Sequence, residues 1–294
     1  MADQAQALRN LILQRNGAKP DQAPKQTRII TVASGKGGVG KSNFSLNFAL
    51  ALQKLGQKVL VFDADIGMAN LDVLMGVPAP YSLYHLFQGE RSIRDIIQLG
   101  PGGLHFIAGG SGFRELLHLT EEQLQQADRE IGRLQGEYDL ILFDTGAGLS
   151  REAERFIHAS HECIIVTTPE PTSVTDAYAL VKMVSHSNPA AKFKLIVNRT
   201  SDSREGRQTA EKMDLAAQRF LNVSLPFAGA IADDPHVGKA VRRQSPFSIV
   251  FPECQASRDI LTAARAYMEL PHTGDSTRTV KGFFQQWLGR KRSL

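Results

Sequence analysis

Nine residues, SGKGGVGKS at 34–42, constrain the fold of this chain more than any other stretch. Gly35, Gly40, Lys41 and Ser42 keep the spacing G-x-x-x-x-G-K-[ST] between an apolar, β-branched run (IITVA, 29–33) and an amphipathic run from Lys41 to Leu55. Glycines lack the Cβ that would keep other groups away, so successive backbone N–H groups can converge on one point. The helix that follows adds the positive end of its dipole there. Such a loop needs a strand to launch it and a helix to receive it, which sets an α/β class. The spacing predicts a phosphate cradle lined by Gly35, Lys36, Gly37, Gly38, Val39, Gly40, Lys41, Ser42 and Asn43. Lys41 would meet the β/γ-phosphates of a nucleotide and the Ser42 hydroxyl a magnesium ion. Phe44, Phe48, Ala51, Leu52 and Leu55 recur along one face of the expected helix, and Gly56 ends it.

The rest of the chain repeats the alternation. Short apolar runs at 58–63, 104–109, 139–144, 162–168, 193–198 and 227–231 read as strands, with helical patterns such as 121–135 and 256–270 among them. Strands apolar on both faces call for a mostly parallel sheet covered by helices on each side, joined by right-handed crossovers. We expect a helix over 1–17, a proline-containing linker over 18–27, an α/β body over 28–270 that carries the phosphate loop, and a flexible joint with a last amphipathic helix over 271–294.

Composition removes other classes. Hydrophobic residues at 42% and charged residues at 22% are ordinary for a globular chain of 294 residues, so extended disorder is excluded. No apolar run reaches the roughly 18 residues of a spanning helix, and the polar start MADQAQALRN does not read as a secretory signal, so a cytoplasmic protein is expected. Cys163 and Cys254 form no CxxC pair and are expected to be silent thiols. The formal charge of +4 is unevenly placed: residues 276–294 carry five basic side chains and no acid, residues 1–28 are also basic, and the body between them is weakly acidic. That argues against a broad nucleic-acid surface and no specific nucleic acid is expected.

Two further strand ends carry acids. VFDADIGMANLD (61–72) places Asp63 and Asp65 two residues apart, on one side of a strand end, and DLILFDTGAGL (139–149) runs four apolar residues into Asp144. In an open parallel sheet both ends lie at the carboxyl edge beside the phosphate loop. Asp63 and Asp144 join Ser42 as candidates for the magnesium side of the site. His158 and His161, one turn apart, have no identifiable carboxylate partner and are expected to be structural.

These motifs together resemble the MinD/ParA class of ATPases. KGGVGKS is similar to its deviant Walker A loop, in which the first lysine, here Lys36, reaches across a nucleotide-sandwich homodimer to the partner's phosphates. The segment at 63–72 resembles the first switch, D-x-D-x-G-x-x-N-x-D, which makes Asp65 the residue that orients the attacking water and gives Asn70 a supporting role. Asp144 matches Walker B, although Gly146 stands where D-T-P-A-G has proline. Asn198 matches the position that reads adenine, and either Asp233 or Asp234 would border the base. The resemblance implies ATP and Mg²⁺ as cofactors, and Lys36, Lys41, Asp65 and Asp144 as the catalytic set.

The two ends narrow the class. Phe283, Phe284, Trp287 and Leu288 fall on one side of a helix, with Gln285 and Gln286 on the other and basic residues flanking. This composition suits an anionic membrane surface and resembles the C-terminal targeting helix of MinD. DQAQALR (3–9) resembles the D-Q-A-x-x-L-R motif of the FlhG/FleN/YlxH flagellar regulators. That family implies an ATP-dependent switch of flagellar number and placement that dimerises and lodges on the inner face of the membrane when ATP is bound. Its partners would be the FlhF GTPase, stimulated through an N-terminal contact at Gln4, and flagellar C-ring proteins. A division-site MinD and a DNA-segregating ParA-type ATPase are the competing relatives.

Overall fold

The structure, a computed structural model, describes residues 26–65, 70–109, 120–270 and 278–288. Eight strands form one sheet: β1 (Arg28–Ala33), β2 (Val59–Ala64), β3 (Gln98–Leu99), β4 (His105–Ile107), β5 (Leu140–Thr145), β6 (Glu162–Thr167), β7 (Phe193–Thr200) and β8 (Phe227–Ala232). Their order is β3-β4-β2-β5-β1-β6-β7-β8, and every pairing is parallel except β3 with β4. The two-residue β3 is too short to leave a pattern in the sequence, so the antiparallel edge is a finding of the structure. Strand β1 lies between β5 and β6, where the connections diverge to the two halves of the sheet. That switch point is where open α/β sheets bind ligands.

Twelve α-helices accompany the sheet among the described residues: α1 (Lys41–Lys54), α2 (Leu71–Met75), α3 (Leu83–Phe87), α4 (Ile93–Ile96), α5 (Glu121–Gly132), α6 (Arg151–Ala159), α7 (Pro171–Ser187), α8 (Ser203–Leu221), α9 (Pro235–Arg242), α10 (Phe247–Val250), α11 (Gln255–Glu269) and α12 (Val280–Trp287). Local chemistry sets several of their ends. The side chains of Ser150 and Asp202 accept N–H bonds at the starts of α6 and α8, and Asn222 takes a left-handed conformation to stop α8.

The core divides across the sheet. On one face Val59 and Val61 of β2 and Leu140 and Leu142 of β5 pack with Phe44 and Phe48 of α1 and with Ile260 of α11. On the other, Leu60 and Phe62 of β2 and Ile141 and Phe143 of β5 pack with α5, α6 and α12. The period of two thus turns Asp63 and Asp144 toward α1 and the preceding Phe62 and Phe143 toward α12. Of the domain boundaries expected from sequence, the 1–17 helix and the 18–25 part of the linker fall outside the described residues, as does the joint at 271–277. No described helix is long and apolar enough to cross a membrane.

Candidate functional site: a phosphate loop between two acidic strand ends

The loop predicted from spacing lies between β1 and α1, and its glycines are demanded by space. Gly38 and Gly40 hold φ of 81° and 87°, a left-handed backbone that other residues avoid. A Cβ on Gly35 would stand 2.2 Å from the Asp176 backbone in the second turn of α7, so the loop lies directly against that helix. Arg199 also has positive φ, and its guanidinium donates to the Gly38 carbonyl at 3.3 Å.

Beneath the loop a polar knot closes. Lys41 Nζ donates to Asp144 Oδ1 at 3.0 Å, and Ser45 Oγ donates to the same oxygen at 2.7 Å. Lys41 Nζ stands 3.4 Å from Ser42 Oγ. Lys41 and Asp144 are both buried, where separating the pair or removing one partner leaves an uncompensated charge. Ser45 is a partner that the motif did not announce, although its i+4 spacing from Lys41 puts it on the same helix face. The Thr145 hydroxyl donates to the Val32 carbonyl at 3.0 Å and Gly148 N–H to the Ser34 carbonyl at 2.9 Å, which ties the β5 turn to the phosphate loop.

Asp63 and Asp144 are register partners in β2 and β5. Asp63 accepts N–H bonds from Asp65 through Oδ1 and from Asn70 and Leu71 through Oδ2, at 2.8–3.2 Å. Its oxygens therefore brace the ends of the switch segment and the start of α2, where the sequence reading had them beside magnesium. Burial, with Asp144 alongside, raises its carboxyl to about 7. Asp65 is raised by burial and by Asp144 against the opposing pull of Lys41. Its Oδ1 lies 3.2 Å from where a Cβ on Gly146 would stand, so the glycine found in place of proline leaves that carboxylate room.

Lys36 does not point into the loop. Its Nζ pairs with Glu170 Oε2 at 3.3 Å and donates to Thr172 Oγ1 at 3.1 Å, both at the start of α7. Those partners lie 134 and 136 residues away and left no local signal. On the other side of the loop a cavity of about 230 Å³ is lined by Asn43, Phe44, Asn198, Asp233 and Val237. Asn198 Nδ2 donates to the Val39 carbonyl at 2.7 Å, so half of the expected adenine reader holds the loop itself. Asp234 caps α9. Although its burial pushes upward, bonds from His236 and Ala256 bring its carboxyl down to about 2. The exposed Asp233, paired with Arg199 at 3.6 Å, is the acid left on the cavity rim.

His161 Nδ1 accepts the Ile29 N–H at 3.0 Å, and His158, for which the sequence offered no carboxylate partner, meets Glu154 at 3.3 Å and Ser187 at 2.9 Å. Cys163 and Cys254 are free thiols.

The expected membrane residues are inside the protein. Phe283, Phe284 and Trp287 are buried, and Leu288 packs partly buried beside them. Phe283 stacks on Phe143 with centroids 4.3 Å apart, Phe284 lies 5.7 Å from Phe62, and Trp287 stacks on Phe156 at 5.0 Å. Gln285 and Gln286, on the other side of the helix, also bond to the body, Gln285 to Asp128 at 2.8 Å and Gln286 to the His158 carbonyl at 3.2 Å. Arg278 donates to the carbonyl of Ser160 and Gln135 accepts the Val280 N–H. In this structure the apolar face of the last helix is therefore docked on the body. Gln4 lies outside the described residues.

The AAA domain family matches residues 27–196. The chain is 37% identical over 230 residues to the antiactivator FleN of Pseudomonas aeruginosa, covering 78% of this chain and 82% of that protein. It is 36% identical over 293 residues to the flagellum site-determining protein YlxH of Helicobacter pylori, covering 98% and 99%. Among solved structures it resembles the septum site-determining protein MinD of Pyrococcus horikoshii, complexed with Mg-ADP, with TM-score 0.66 and 28% identity, over 83% of this chain and 97% of that one.

Proposed function

The chain belongs to the MinD/ParA-type P-loop ATPases, in the group that holds FleN and YlxH, and from that premise we propose an ATP-driven, dimerising membrane switch that sets flagellar number and placement. ATP hydrolysis follows from the family. The flagellar role is carried over from YlxH, a flagellum site-determining protein to which the chain is similar along nearly its whole length. The observation that carries the switch is the burial of α12, an amphipathic helix with basic flanks, on the back of the two strands that end in Asp63 and Asp144.

The residues present fit Mg-ATP. The loop has the glycine space that a phosphate cradle needs, and a lysine, two hydroxyls and a carboxylate converge at its floor. Ser42 and Asp144 would hold the metal, which when bound neutralises phosphate charge. Lys41 leaves Asp144 for the β/γ-phosphates, and Lys36 exchanges Glu170 for the phosphates of a second copy. Asp65 orients the water, with its carboxylate already free of backbone bonds among those the structure gives. Dimerisation and the loss of the resting Lys41–Asp144 pair free α12 for anionic lipid, and hydrolysis restores the docked monomer.

Asp65→Ala is expected to keep ATP affinity, because it removes no phosphate contact, and to lower turnover by roughly 10²–10⁴-fold, the usual worth of a positioned proton acceptor. The variant should accumulate as a dimer in sedimentation and change flagellar counts when it replaces the wild type. Wild-type turnover would take Asp65 out of the reaction.

The N-terminus supports a contact with an FlhF-type GTPase, by resemblance of DQAQALR. A peptide of residues 1–20 should by itself raise the GTPase rate of that partner, and the same peptide with Gln4→Ala should not. A short segment can carry a local contact if it orders on binding. Activity in the full chain but none in the peptide would move the contact to the body.

A further inference from the structure

We infer that Phe143, with Phe62 beside it, is a positioning residue for the acidic strand ends, through which occupancy of the α12 groove sets the affinity for ATP. This rests on the switch reading above and adds its physical route. Phe143 and Asp144 are consecutive in β5, Phe62 and Asp63 consecutive in β2, and the two pairs stand in register. Each peptide therefore has an aromatic ring on the α12 side and a carboxylate on the α1 side. The rings form one continuous stack: Phe62 on Phe143 at 4.7 Å, Phe143 on Phe283 at 4.3 Å, with Phe156 5.4 Å from Phe143 and Trp287 beyond it.

Across the same strand ends the carboxylates hold the resting site. Asp144 takes Lys41 and Ser45, and Asp63 takes the backbone of the first switch. A close-packed interior has no slack to absorb a shift of one face alone. Withdrawing Lys41 from Asp144 moves the end of β5, which displaces the Phe143 ring from Phe283, and a gap of a few tenths of an ångström already forfeits dispersion contact. Linkage makes the effect reciprocal: a groove filled by α12 holds the Lys41–Asp144 pair closed, and an empty groove lets ATP take Lys41 more cheaply. ADP, lacking the γ-phosphate, competes less for Lys41.

Trp287 is the only tryptophan of the 294 residues and is buried against Phe156, so its emission reports docking directly. The affinities of a non-hydrolysable ATP analogue and of ADP, both with magnesium and at one protein concentration without membranes, are to be measured by titration calorimetry. The proteins are the full chain, Phe283→Ala, Phe143→Leu, and both together.

Phe283→Ala should red-shift Trp287, tighten the ATP analogue by about fivefold or more, the low end of ordinary coupling, and leave ADP within about twofold. In the Phe143→Leu background the same Phe283→Ala change should move analogue affinity by less than about twofold, because the route is already cut. If Phe143→Leu does not fold, Phe62→Leu takes its place in the cycle. A red-shifted Trp287 with unchanged analogue affinity, or an equal gain in both backgrounds, overturns the inference. Failure of the switch reading is separate: it would show as wild-type Trp287 emission unmoved by saturating analogue, which a fivefold coupling permits when docking is strong.

Discussion

Lys41→Ala protein should lose ATP affinity by at least about 10²-fold and also melt at lower temperature. Two different roles of one side chain produce the two effects. In the resting structure Lys41 neutralises Asp144 at 3.0 Å in a buried place where Asp63 is the register neighbour. Removing it leaves the Asp144 carboxylate with the Ser45 hydroxyl as its remaining donor among the bonds the structure gives. Breaking a buried pair in this way costs about 3–5 kcal/mol, which for a domain of this size is a drop of roughly 5–15 °C in the melting midpoint. With nucleotide, the lysine contributes charge-assisted bonds to phosphate, each worth about 1.5–3 kcal/mol. Calorimetric titration with ATP and thermal melts without it separate the two. ATP affinity within about threefold of wild type would remove Lys41 from the phosphates, and an unchanged melt would mean that the pair with Asp144 is energetically silent.

ATP-dependent flotation with anionic vesicles should disappear both in a chain stopped at Ser276 and in Phe284→Glu. Burying one large apolar side chain is worth roughly 1.5–3 kcal/mol, and ordering a short helix at the lipid surface consumes much of it. One tail is then a weak anchor. Two tails on one dimer act at high effective concentration, a gain of about 10²–10⁴-fold that vanishes with either lesion. The lesions also act on the body, because Phe284 is fully buried beside Phe62 and Phe143. A glutamate there cannot stay docked, and the aromatic face of β2 and β5 becomes exposed. We therefore expect the variants to bind ATP but to be less soluble than the full chain. Salt should weaken the wild-type interaction through its basic flank. Flotation of the truncated chain at the wild-type level would place the anchor elsewhere. Equal flotation in ADP and ATP would keep the anchor and end the nucleotide switch.

The phosphate loop and the doubly covered sheet were legible from residues alone because their causes are local. Gly38 and Gly40 are required by their own φ, the β1 and β5 runs by apolar faces on both sides, and the stop after α1 by the left-handed Gly56. Each of these rests on the conformational range of one residue or on a period repeated within one element. The acids at the ends of β2 and β5 were legible too, since a strand that ends in aspartate must put it at the sheet edge.

What each of those acids touches was decided by the tertiary structure. Asp63 and Asp65 look alike in the sequence, yet the first is spent on the Asp65, Asn70 and Leu71 amides and the second is left beside Gly146. Ser45, Glu170 and Thr172 join the site by packing of α1 and α7 against the strand ends, over separations that no window on the sequence spans. The last helix shows the same limit most clearly. Its aromatic face satisfies the chemistry of a membrane surface and of a protein groove equally, because both reward removal of apolar area from water. The sequence by itself determined that Phe283, Phe284 and Trp287 must be covered. Only the assembled sheet, which offers Phe62, Phe143 and Phe156 at stacking distance, decided what covers them in this state.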